Sequence, residues 1–122
     1  MVRLRLAAPA SVDIADLLDW SFRNFGLTGR RRYESLVTTA LQDVAGDLRP
    51  IGAAARPELG HGILVYHLRH SRQRARTTDG VVRNPRHFII YREAARDLVT
   101  ILRVLHDAMD LARHLDSADA DP

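Results

Sequence analysis

Two sets of side chains in this 122-residue sequence could do chemistry, a band of arginines and a scatter of histidines. All 18 of its basic residues are arginine. Residues 69–92 hold seven of them against the single Asp79, a local charge of about +6. On either side the charge is nearly balanced or acidic: residues 1–68 carry eight arginines against seven acids, and residues 93–122 carry three against seven. Such a band reads as a footprint for a phosphate backbone or an acidic protein partner, with a solvated loop as the plain alternative. Arg86, Arg92 and Arg103 can stabilise negative charge, and His106 can serve as an acid or a base. His106, Asp110 and His114 are spaced four apart and would share one helical face, a workable spacing for metal ligands, while His61, His67 and His70 form a looser cluster. With no cysteine in the chain, a disulfide framework and a thiolate metal site are both excluded.

The elements that must position these groups can be read from the apolar pattern. Val2-Arg3-Leu4-Arg5-Leu6 alternates with period two, as a half-buried strand does. Ser11 is a candidate N-cap with Asp13 in the first turn, and Ile14, Leu17, Leu18, Phe22 and Phe25 then fall on one helical face that ends at Gly26. Thr28 can cap a second helix with Tyr33, Leu36, Val37, Ala40, Leu41, Val44 and Leu48 on its apolar face, stopping at Arg49-Pro50. A connection as short as Gly26-Leu27-Thr28 predicts antiparallel neighbours. Arg30-Arg31-Arg32 sits in the first turn of the second helix, against the preference of its dipole.

Residues 50–62, rich in Pro, Gly and Ala, read as a loop crossing back to a sheet. Residues 63–70 form a strand with Leu64, Tyr66 and Leu68 on one face and Val65, His67 and Arg69 on the other. Residues 71–85 read as an enlarged, basic hairpin loop with a turn at Asp79-Gly80. Two apolar strands and a small helix complete the chain. A sequence of this length is expected to make one domain. No apolar run reaches the length of a membrane span, and the N-terminus lacks the apolar core of a signal peptide, so a cytoplasmic protein is expected.

The run Arg86-His87-Phe88-Ile89-Ile90-Tyr91-Arg92, followed by Arg103-Val104-Leu105-His106, Met109-Asp110 and His114-Leu115, resembles the C-terminal half of ParE toxins. These belong to the ParE/RelE superfamily of bacterial toxin–antitoxin modules. The resemblance implies an α+β fold of a strand, an α-helical hairpin, a three-stranded antiparallel meander and a short C-terminal helix. On this reading residues 1–115 form a single toxin domain and residues 116–122 a disordered acidic tail. The enlarged loop at 71–85 departs from the family, which generally uses a tight turn there.

The resemblance also implies function. ParE toxins are associated with poisoning DNA gyrase by trapping its cleavage complex, a role needing a contact surface and no catalytic set. Target-contact candidates are Arg86, His87, Arg92, His106, Met109 and Asp110. RelE-type relatives instead cut messenger RNA on the ribosome, which needs a base, an acid and cations for the charged phosphorane. Arg86, Arg92, Arg103 and His106 would have to supply these, without the lysines or terminal tyrosine typical of that branch. Plainer roles compete: Arg92 and Arg103 could pair with Glu93, Asp97 or Asp107, His106 could cap the last helix, and Met109 could be core. The implied partner is a ParD-like antitoxin with an acidic C-terminal segment folding onto an apolar groove with basic margins, in a toxin–antitoxin hetero-oligomer. Leu17, Trp20, Tyr33, Val37, Tyr91 and Arg103 are candidates for that contact. No cofactor or metal is expected.

Overall fold

In the computed structural model, residues 2–109 are described. The expected C-terminal helix and acidic tail lie outside them. The fold is α+β, one long helical run packed on a five-stranded sheet. Chain order is β1 (Arg3–Leu6), α1 (Ala8–Gly46), β2 (Ala54–Ala55), β3 (Leu64–His67), β4 (His87–Ala95) and β5 (Leu98–His106). Short 3-10 turns occupy Pro57–Leu59 and Leu68–Ser71. Sheet order is β1-β5-β4-β3-β2, with β1 parallel to β5 and the remaining pairs antiparallel.

Several boundaries differ from the sequence expectation, each for a local reason. The helical run begins at Ala8 with Pro9 in its first turn, three residues before Ser11. Proline suits that position because its missing N–H would be unpaired there anyway. A three-residue connection capped by Thr28 is not found. Gly26 alone interrupts the run, at φ 74° and ψ −169°, a conformation that is essentially glycine's own. A straight helix of this length would separate its ends by about 58 Å. Yet the Val2 amide donates to the Ala45 carbonyl at 3.1 Å, and the Ala7 amide to Ile101 at 2.9 Å. Both ends of the run therefore return to the strand β1 and its neighbour, so the chain reverses at Gly26. The run stops at Gly46, where the Asp47 amide closes the last turn on Asp43.

The core lies between α1 and one sheet face. Leu17, Tyr33, Leu36, Val37, Ala40 and Val44 pack there on Leu64, Tyr66, Leu68, Ile89, Tyr91, Val99, Ile101 and Val104. A smaller cluster of Ile63, Val65, Ile90, Leu102 and Leu105 covers the opposite face. The β4–β5 ladder slips twice, between Glu93 and Ala95 near the hairpin and, further along, where Ile90 pairs with Arg103 but Tyr91 pairs with Ile101. Leu102 is thus an extra residue on β5, a bulge. Strict alternation would put Arg103 on the face of Ile101; the bulge gives that place to Val104.

The 71–85 segment is tied to α1 at several points. Asp43 accepts from Ser71 and pairs with Arg74, Ser35 donates to the Ala75 carbonyl, and Arg32 donates to the Asp79 carbonyl. Its turn is closed by reciprocal backbone bonds between Thr77 and Gly80, with Gly80 at φ 97°. Ala75 is buried, and Val82 packs against the main core.

Candidate functional site

β1 covers only Leu98 to Ile101 of β5, so the outer edge of β5 beyond Ile101 faces α1 instead of a strand. Unpaired strand edges need a partner for their N–H groups. Here Asp13 supplies it. Its carboxylate accepts the Val104 amide at 3.0 Å and grips Arg103 with two bonds, Nε at 2.7 Å and Nη2 at 2.9 Å. This pair is mostly buried, and the carboxylate raises the Arg103 pKa. The sequence pairing of Arg103 with Glu93, Asp97 or Asp107 is corrected accordingly. Along the same edge, a cavity of about 420 Å³ is lined by Asp16, Leu17, Trp20, His87, His106 and Met109, among others.

A polar cluster closes one end of the sheet, where β3 and β5 finish and β4 begins. Asp107 receives Arg86, with Nη2 at 2.8 Å, and His67 Nε2 at 3.1 Å. Burial pushes the Asp107 carboxyl up, but the bonds from Arg86 and His67 outweigh it and hold the pKa below its usual value. The Tyr33 hydroxyl accepts the Arg86 amide at 3.1 Å and lies 2.7 Å from His87 Nδ1. Burial lifts the Tyr33 pKa to about 12 and depresses that of His87 to about 4. A neutral phenol therefore faces a neutral imidazole, and assigning the phenol hydrogen to Nδ1 leaves the His87 proton on Nε2. The His87 and His106 rings meet edge to face, 5.3 Å between centroids.

A second cavity, of about 400 Å³, opens on the other side of Trp20. Phe25, Gly29, Tyr33, Val81 and Val82 make its apolar walls, and Arg32, Arg83, Asn84 and Arg86 its polar rim. Trp20 is common to both cavities and 44% exposed; Phe22, Phe25 and Leu27 nearby are still more exposed. The helical pattern placed Phe22 and Phe25 on the buried face. Neither is buried; Phe25 instead meets Trp20 edge to face, with ring centroids 5.6 Å apart.

Residues 4–111 match the family model described as ParE toxin of type II toxin-antitoxin system, parDE. The chain belongs to the ParE toxin family. No curated protein matches it as a relative. Among the described residues, no helix is long and apolar enough to cross a membrane.

Set against this toxin fold, the candidate residues scatter. Arg86, His87 and His106 come together at the end of the sheet, with Met109 close by on the first cavity. Arg92 pairs with Thr100 six residues along β4 from Arg86, about 20 Å away at strand rise. Asp110 and His114 lie outside the described residues. Of the proposed antitoxin contacts, Leu17, Trp20 and Arg103 line the first cavity and Trp20 and Tyr33 the second. Val37 and Tyr91 are core residues; Tyr91 is wholly buried and its hydroxyl donates to the Leu48 carbonyl at 2.8 Å. Among the described residues no three His, Asp or Glu side chains converge as metal ligands. Sequence reading had Asp13 only as a first-turn acid and residues 81–84 only as part of the 71–85 loop, since nothing local names the partners they meet. Trp20, already a candidate contact, is the residue common to both cavities.

Proposed function

We propose that this ParE-family toxin arrests growth by inhibiting DNA gyrase, holding the enzyme on cleaved DNA, and that a ParD-like antitoxin neutralises it in a cytoplasmic hetero-oligomer. What supports an inhibitory surface over a nuclease is the state of the arginines. A phosphorane needs cations aimed at developing charge. Arg103 is instead held by two bonds to Asp13 and Arg86 is paired with Asp107, while Arg92 stands far from both. Two carboxylates already neutralise the very cations that a ribonuclease would need.

The surfaces that remain are suited to contact. His106, Met109 and the Arg86 rim offer one to the target. The groove around Trp20, apolar and edged by arginine, offers the other to an acidic antitoxin segment. The alternative is a RelE-type, ribosome-dependent RNase. Expressing the toxin and following plasmid supercoiling, DNA breaks and messenger RNA in the same cells separates the two. The expected outcome is broken, relaxed DNA with intact messages; cut messages over intact DNA would reverse the assignment.

A further inference from the structure

The cavity beside Trp20 has a feature that the helical run alone cannot provide. Its outer wall is Val81 and Val82, with Arg83 and Asn84 at the lip, all from the enlarged segment between β3 and β4. That wall is held in place. Arg32 and Ser35 bond its backbone at Asp79 and Ala75, and Asp43 fixes its start through Ser71 and Arg74. The lining contains three arginines and no carboxylate. Arg83 has no hydrogen bond or ion pair among the described residues. An occupant should therefore be apolar at its tip and acidic on its flanks.

We propose that this cavity is an anchor pocket of the antitoxin: one large apolar side chain of the antitoxin wedges between Trp20, Phe25 and Val82, and neighbouring carboxylates meet Arg32 and Arg83. The inference rests on the antitoxin reading above and adds that the enlarged segment selects the partner. A nucleobase fits less well. A base stacks on an open, flat aromatic face. Trp20 and Phe25 meet at 74° with centroids 5.6 Å apart, and the opposite wall is branched valine. A wedge-shaped aliphatic or aromatic side chain fills that space; interface energy commonly concentrates in such an anchor. Because the wall comes from the enlarged segment, an antitoxin made for a toxin with a tight turn would find half of the pocket missing.

Trp20 is the sole tryptophan and lines both cavities, so its emission reports an occupant of either, and the Val82 and Arg83 variants assign the signal to this one. The full chain is titrated with the purified antitoxin encoded beside it, as wild type and as Val82→Asp and Arg83→Glu, with thermal melts to establish folding. A blue shift of Trp20 emission on saturation is expected, with affinity at least tenfold weaker for each variant. In cells the antitoxin should fail to rescue growth from these variants at levels that rescue the wild type. Arg83 is exposed, so Arg83→Glu keeps the test open if Val82→Asp does not fold. Unchanged emission, or variants bound as tightly as wild type, would overturn the pocket while leaving the antitoxin reading in place. An antitoxin that neither binds nor neutralises the wild type would remove both. Binding of a twelve-nucleotide oligo-dT that Arg83→Glu abolishes, with antitoxin affinity unaffected, would assign the pocket to nucleic acid.

Discussion

Asp13 gathers three donors from β5 into one carboxylate and so replaces the strand that β1 does not extend to provide. Asp13→Ala leaves the Arg103 guanidinium and the Val104 amide without it in a mostly buried place. Losing one partner of such a pair costs about 2–4 kcal/mol, which urea unfolding would measure. A loss below about 0.5 kcal/mol would mean that the edge needs no cap. His87 gives a pH dependence. Its folded pKa of about 4 lies below the ordinary value of 6.5, so an unfolded chain takes up the proton first. Stability is then full above pH 6.5, falls as pH drops towards 4, and levels off below that, by up to about 3 kcal/mol from this group. His87→Gln, which can still accept from Tyr33 but does not titrate, should flatten the slope across that window. An unchanged slope would place the acid sensitivity in other groups, His67 first among them, since burial also lowers its pKa.

At the scale of elements, Gly26 decides the course of the chain. A Cβ built there meets nothing within 4 Å, so replacement is not a question of space. The cost is conformational, and Gly26→Ala should lose about 1–3 kcal/mol in thermal or urea unfolding. Gly46→Ala is the control. It also has open space and no positive φ, and should be neutral or gain up to about 1 kcal/mol. Equal losses at both sites would mean that Gly26 carries no special strain. The bulge at Leu102 is the second deciding feature. It explains why Ile101 and Val104 share the main core although three residues apart, while Leu102 and Leu105 lie in the cluster on the opposite face. β3, by contrast, alternates as expected over Leu64–His67, although the strand read over residues 63–70 ends there in the 3-10 turn Leu68–Ser71.

For the whole molecule, the arginine band is not one continuous patch of uncompensated charge. Arg74 and Arg86 meet Asp43 and Asp107, while Arg32, Arg83 and Arg86 rim a pocket. If that rim receives an acidic partner, antitoxin affinity should fall by about tenfold between 0.05 and 0.5 M salt, as exposed charges are screened. A salt-independent affinity, measured by titration calorimetry, would put the contact on apolar surface alone.

The sequence by itself determined the order of the main elements (though not the two-residue strand β2 inside the stretch read as a loop), the faces of β3, the buried stripe from Tyr33 to Val44 and the kinship carried by residues 86–115. Each of these is local: periodicity, a glycine, or a run of neighbouring side chains. Tertiary structure decided which charges are already satisfied and which surfaces stay open. Asp13 and Arg103 are 90 residues apart, and Trp20 meets residues 81–84 only because the chain reverses at Gly26 and the 71–85 segment folds back over α1. No pattern along the chain encodes such meetings. They arise when a sheet edge, a bulge and a helical reversal are packed into one body, and they turn a family signature into a particular contact surface.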